Sequence, residues 1–186
     1  NNHNAACTPG SCPARTPGRV GQALNFTGGV SQTLTIAAFG VPQTAYTFSE
    51  WFKTSSNNVG ISSLVAGSNT DRQVYLNAGN VCVDVLNGFR QALCSVGTNY
   101  ADNNWHLVTH VVGDGGKQKL YVDGAFVSEN SLGSSAAGAN ASIVLGRAPQ
   151  ATTPLYTGLL DEVKLFPLAL DAQTVKGLYD TWQPAT

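Results

Sequence analysis

The sequence predicts an all-β sandwich or barrel with one short helix near its C-terminus. Short runs of alternating apolar and polar residues recur along the whole chain, separated by Gly, Asn, Asp and Ser, and almost none has a helical period. Asp123-Gly124 lies between two such runs. That dipeptide suits the type I′ turn of a two-residue hairpin, in which both central residues take positive φ. Cys82 and Cys94 flank Leu86-Asn87-Gly88-Phe89, so a hairpin centred on Gly88 with a three-residue loop brings the two cysteines face to face.

Taken in order, Cys7 and Cys12 bracket the tight loop Thr8-Pro9-Gly10-Ser11. Four cysteines allow three pairings, and these two local contexts favour Cys7–Cys12 with Cys82–Cys94. A zinc site would want a Cys-x-x-Cys pair with a matching second pair, and neither spacing occurs. Strand-like runs follow at Gln22–Phe26, Thr33–Ile36, Tyr46–Lys53, Gly60–Ala66, Gln73–Asn77, Val81–Leu86 and Gln91–Val96. Further runs occupy His106–Val112, Lys119–Val122, Ala125–Glu129, Ser142–Leu145 and Gly158–Phe166. Ser55–Asn58 and Ser131–Asn140 read as loops. The helix begins after Asp171, a suitable cap, and places Val175, Leu178 and Tyr179 on one face.

The 186 residues suit one domain, 1–186, with one sizeable core. Ten Lys and Arg against eleven Asp and Glu leave no basic stripe for phosphates, so nucleic acid is not an expected partner. The apolar runs, such as Leu107 to Val112, fall short of the ~20 residues of a membrane helix, and membrane insertion is not expected. Methionine is absent and no signal-peptide pattern is present, so we expect a segment of a longer precursor. Four cysteines in a Gly-, Ser-, Thr- and Asn-rich chain suit an oxidising, extracellular or cell-surface setting. Asn25-Phe26-Thr27 and Asn140-Ala141-Ser142 match the N-glycosylation pattern, which matters only in a eukaryotic secretory pathway.

Three blocks carry a family resemblance: Gly18-Arg19-Val20-Gly21-Gln22-Ala23-Leu24-Asn25-Phe26, Tyr46-Thr47-Phe48-Ser49-Glu50-Trp51-Phe52-Lys53, and the series Trp105, Asp123-Gly124, Asp161-Glu162-Val163 and Leu168-Ala169-Leu170. In this order and spacing they resemble the laminin-G-like jelly rolls of the concanavalin A-like lectin/glucanase superfamily. The resemblance implies two antiparallel sheets packed face to face, with ligands met on a concave face or at its rim. It also implies frequent but not universal sugar binding, and fold likeness alone names no ligand. Relatives commonly carry acids just after the Ala-Leu-x-Phe motif, where they help hold calcium. Here those positions read Thr27-Gly28-Gly29-Val30-Ser31-Gln32. Calcium takes six to eight oxygens. Asp161 therefore keeps two readings, a calcium ligand beside backbone carbonyls or a carboxylate holding backbone N–H groups at a strand edge.

Catalysis finds little support. The superfamily's glucanases place carboxylates two apart on one strand face in a Glu-x-Asp-x-x-Glu motif, which is absent here. Asp161 and Glu162 are adjacent, so a regular strand points them to opposite faces. No Gly-x-Ser-x-Gly occurs. Glu50 breaks the pattern by sharing its face with Tyr46, Phe48 and Phe52. It needs an exposed edge, a bulge, an arginine partner such as Arg72, Arg90 or Arg147, or a functional role. His106 and His110 lie on one strand face roughly 13 Å apart, too far to share a metal. We expect His106 partly exposed and His110 semi-buried and satisfied.

The pleat supplies the binding candidates. With Val74, Leu76, Val81, Val83 and Val85 turned to the core, Gln73, Tyr75, Asn77, Asp84 and Arg90 share the outer face. An aromatic ring beside amides, a carboxylate and a guanidinium is what a sugar needs, and Trp51 either joins this surface or lies under a loop. The equally open alternative is a solvated sheet face with no ligand. The expectation is thus a non-catalytic, lectin-like module for carbohydrate or cell-surface glycan, attached to neighbouring domains of its precursor. The runner-up is an adhesion or spacer domain with a protein ligand or none.

Overall fold

A computed structural model describes residues 4–28, 32–66, 69–87, 89–113, 116–132, 140–149, 151 and 155–181. In chain order the elements are β1 (Ala5–Ala6), β2 (Ala14–Pro17), β3 (Gln22–Thr27), β4 (Leu34–Gly40), β5 (Tyr46–Lys53), β6 (Val59–Ala66), β7 (Asn69–Asn77), β8 (Asn80–Asn87), β9 (Phe89–Cys94), β10 (His106–Gly113), β11 (Lys117–Val122), β12 (Ala125–Ser131), β13 (Asn140–Leu145), β14 (Thr157–Phe166) and α1 (Ala172–Asp180). Among the described residues the strands form two antiparallel sheets of seven, a jelly-roll sandwich. The first runs β1-β4-β13-β6-β7-β8-β9 and the second β12-β11-β10-β5-β14-β3-β2.

Alternation places the core where the sequence puts it. Val74, Leu76, Val81, Val83 and Val85 of the first sheet meet Phe48, Phe52, Val108, Val112 and Leu120 of the second. Each such side chain, once buried, contributes roughly 1.5–3 kcal/mol. Asp123 and Gly124 take φ 53° and 75°. Val122 and Ala125 close the ladder on either side, so the two-residue hairpin is as expected. Cys82 pairs in register with Cys94 across β8 and β9. Both disulfides, Cys7–Cys12 and Cys82–Cys94, are formed.

Two strands escaped sequence reading. β1 and β2 are too short to show alternation, and they take shape only by pairing with β4 and β3 on opposite sheets. The disulfide-closed loop between them thus links an edge of one sheet to an edge of the other. The run at Thr33–Ile36 also proves longer, as β4. Of the expected loop Ser131–Asn140, residues 133–139 lie outside the described residues. Asn25 lies half-buried on β3, whereas Asn140 is exposed.

The second sheet's outer face is covered by α1. Asp171 caps the helix by accepting the Thr174 N–H at 2.7 Å, and fully buried Val175 packs against Val111 and Tyr121. Trp51 does not join the Tyr75 surface. It belongs to the other sheet, lies 1 % exposed beneath the helix rather than a loop, and stacks on Tyr179 with ring centroids 5.5 Å apart. The Arg19 guanidinium caps the same indole at 4.8 Å.

Candidate functional site

The outer face of the first sheet brings together four of the five expected binding residues. Asp84 is the hub. Its Oδ1 accepts from Arg90 Nη1 at 2.8 Å and from Gln73 Nε2 at 3.2 Å, because Gln73 stands opposite Asp84 in the β7–β8 ladder and Arg90, opposite Leu86, lies two pairs along the β8–β9 ladder on the same face. Tyr75 sits opposite Cys82 in the same ladder. Asn77 stands apart, exposed at the end of β7.

The face assignment holds, but the expected depth does not. Gln73 and Asp84 are each 1 % exposed and Tyr75 is 9 % exposed. Alternation tells which side of a sheet a residue occupies, not what lies above it. Here Ala148 and Ala151, from the segment after β13, pack over Tyr75 and Cys82, while the Arg90 side chain, 26 % exposed, lies on Asp84. The two alanines carry no sequence signal that could have revealed them. Burial pushes the Asp84 carboxyl up, with the Arg90 charge and the Gln73 bond pulling the other way, and burial raises the Tyr75 phenol as well. The result is a polar network fixed by the sheet, with Arg90 at its accessible margin and Asn77 exposed farther along β7. Two clefts among the described residues lie elsewhere, one of ≈ 300 Å³ beside the start of α1 and one of ≈ 320 Å³ beside the Cys7–Cys12 loop.

Glu50 lies inside the sandwich, fully buried on β5 between β10 and β14. Its partner is Ser62, whose hydroxyl donates to Oε1 at 2.6 Å, rather than Arg72, Arg90 or Arg147. The strand is central, not an edge, and the irregularity lies on the neighbouring strand, between Asp161 and Lys164. Burial pushes the Glu50 carboxyl up to about 8, against the Ser62 bond, so it is held protonated at neutral pH. His110, also buried, is pushed down to about 4 by burial and stays neutral, Nε2 meeting Gln118 Oε1 at 2.9 Å. It is more deeply buried than its sequence pattern implied. His106 is different: burial alone would lower its pKa, but Asp123 at 2.8 Å and Asp102 at 3.0 Å raise it.

Asp161 spends Oδ2 on the Val20 N–H and Oδ1 on the Glu162 N–H, each at 2.9 Å. It thereby latches the Gly18–Gly21 turn onto β14, and the motifs behind the family resemblance, Gly-Arg-Val-Gly and Asp-Glu-Val, meet as a structural clamp. Both carboxylate oxygens thus hold backbone N–H groups at a strand edge. Gly29, Val30 and Ser31, part of the loop to which the family resemblance points for calcium, lie outside the described residues. Among the described residues no cluster of three or more His, Cys, Asp or Glu is placed to hold a metal ion. At the bulge Glu162 takes φ 49° and its carboxylate meets the Lys164 ammonium at 2.7 Å.

A laminin G-type family model, described as the concanavalin A-like lectin/glucanases superfamily, matches residues 27–176. Among curated proteins the chain has no sequence match. Among solved structures, the binding domain of Paraclostridial Mosquitocidal Protein 1 superposes with a TM-score of 0.77 at 15% identity, over 98% of this chain and 48% of that one. Domain 4 of AbnA, a GH43 extracellular arabinanase from Geobacillus stearothermophilus solved with arabinotriose, superposes at 0.67 and 21% identity, over 90% of this chain and 81% of that one. The botulinum neurotoxin serotype G binding domain superposes at 0.72 and 13% identity, covering 96% and 47%. The chain thus spans about half the length of the toxin binding domains it resembles. The two toxin neighbours are binding domains, and at such identities the likeness shows the fold. Among the described residues no helix is long and apolar enough to cross a membrane.

Proposed function

The chain belongs to the concanavalin A-like lectin/glucanases superfamily, and from that premise we propose that it is a non-catalytic, carbohydrate-binding module of a secreted or surface protein, working beside other domains of its precursor. The observation that carries this reading is the Gln73–Asp84–Arg90 network beside Tyr75 on the face turned away from the core. Held by the buried Asp84 carboxylate, the partly exposed Arg90 guanidinium is a positioned planar donor for sugar hydroxyls, with little ordering left to do on binding. The neighbouring arabinanase domain, solved with arabinotriose, supports an oligosaccharide as the ligand class. Two disulfides support an oxidising compartment. Few exposed contacts make for weak single-site binding, on the order of 0.1–1 mM, and multiple modules would raise it through effective concentration.

Calorimetry with arabinotriose and a panel of plant and cell-surface glycans tests the proposal. Arg90→Ala and Asn77→Ala are expected to weaken binding at least about tenfold. Wild-type affinity in both variants would remove this face from consideration, and the exposed Arg147 beside Gly146 would be examined next.

A second reading has its own support. The buried Gln73 and Asp84 satisfy each other and Arg90, which leaves few groups to offer a ligand and favours an adhesion or spacer domain. Absence of binding across the glycan panel, with retention of a protein receptor, would favour it.

A further inference from the structure

The cleft of ≈ 300 Å³ beside the start of α1 is lined by Val111, Gly113, Lys117, Lys119, Tyr121 and the segment Ala169-Leu170-Asp171-Ala172. It opens on the second sheet, across the molecule from Tyr75. Its floor is apolar: Val111 and Tyr121 form one cluster with Val175, and Ala169 and Leu170 pack onto it. Lys117, Lys119 and Tyr121 share the outer face of β11, because they alternate with the core-facing Leu120 and Val122. Lys117 Nζ meets Glu129 at 2.9 Å, and Glu129 stands opposite Lys119 in the β11–β12 ladder. Asp171 supplies the remaining carboxylate, its Oδ1 engaged with the Thr174 N–H.

Lys117, Lys119 and Asp171 line the cleft, and Glu129, paired with Lys117 from just outside the lining, brings the formal charge around the apolar floor to zero. Such a rim gives an anion no net attraction and a cation none either, yet it offers strong donors and acceptors at the margin of a surface suited to C–H groups. The volume is at the small end of ligand sites, sized for one or two sugar rings rather than a peptide or a lipid chain. Gly113 sets the back wall, since a Cβ there would run into Ala169. We propose that this cleft is a second saccharide site, which takes a single neutral sugar unit and is separate from the face bearing Arg90. It stands or falls independently of the Arg90 face.

Titration of the ¹⁵N-labelled chain with L-arabinose, D-xylose, D-galactose and D-glucose tests it. Amide shifts are expected at Gly113, Lys117, Lys119 and Ala169 to Ala172, saturating in the millimolar range with at least one sugar. Ala172→Trp, at an exposed first helical position, should fill the mouth and abolish them. Lys119→Ala should weaken them about tenfold, and Arg90→Ala should leave them unchanged. D-glucuronate should bind no tighter than D-glucose. Absence of shifts in the cleft with all four sugars, shifts that survive Ala172→Trp, or a tenfold preference for glucuronate would each overturn the proposal. Loss of shifts with Arg90→Ala but not Lys119→Ala would do the same and return all binding to the Tyr75 face.

Discussion

Glu50 and Asp84 are two carboxyls buried to the same depth, 0 % and 1 % exposed, on opposite sides of the first sheet, and they solve the same problem differently. Asp84 has a guanidinium at 2.8 Å and an amide at 3.2 Å, so its charge is answered on the spot. Glu50 faces the interior with one hydroxyl, and its Oε2 has no hydrogen-bond partner among the described residues. Burial removes the hydration of both. Only the one with a cation beside it has grounds to stay ionised, and the other keeps its proton. The comparison separates a network that compensates a buried charge from one that suppresses it.

The largest expected effect comes from Glu50. Its pKa is raised in the fold, from 4.5 to about 8, so its contribution is full below pH 4.5 and is lost as pH rises through about 8. Over that window it amounts to roughly 5 kcal/mol of stability. Glu50→Gln should flatten this fall, and denaturant melts between pH 4 and pH 9 on both proteins would show it. Equal pH profiles would mean Glu50 is ionised in the fold and the contrast with Asp84 is false. Asp84→Ala comes next, at about 3 kcal/mol, because it leaves the Gln73 amide and the Arg90 guanidinium without their shared acceptor. Restoration of stability by the double change Asp84→Ala with Arg90→Ala would confirm that the stranded charge is the cause.

Tyr75→Ala follows at about 2–3 kcal/mol, measured as a fall in melting temperature, since the ring packs under Ala148 and Ala151. An outward, solvated ring would have given almost no change. The smallest effect is at His106. Asp123 and Asp102 raise its pKa, so its stabilising share is full below pH 6.5 and is lost as pH rises beyond the raised folded value. His106→Gln should therefore narrow the stability gap from wild type as pH increases toward 9.

Local features were legible in the sequence because they need only neighbours. The turn at Asp123-Gly124, the register that joins Cys82 to Cys94, the Asp171 cap and the misplaced acid at Glu50 all follow from spacing and pleat. Features set by distant chain were not. Nothing near Trp51 announces that Tyr179, 128 positions later, will cover it. Nothing near Tyr75 announces Ala148 and Ala151. β1 and β2 are strands only because β4 and β3 offer them an edge. The candidate binding face was found on the correct side of the sheet, while its burial depended on a segment some seventy residues away.

The placement of β5 bears on how this chain reaches its native state. β5 lies between β10 and β14, and β3 finds its inner partner only in residues 157–160. Half of the sandwich therefore lacks its central zipper until the last strand has left the ribosome. Contacts this distant in sequence make for slow folding, on the millisecond-to-second scale. Throughout synthesis β3 and β5 present open hydrogen-bonding edges, which invites mispairing between copies. The Cys7–Cys12 loop can close early without committing the chain, whereas closure of the second sheet must wait for its C-terminal end.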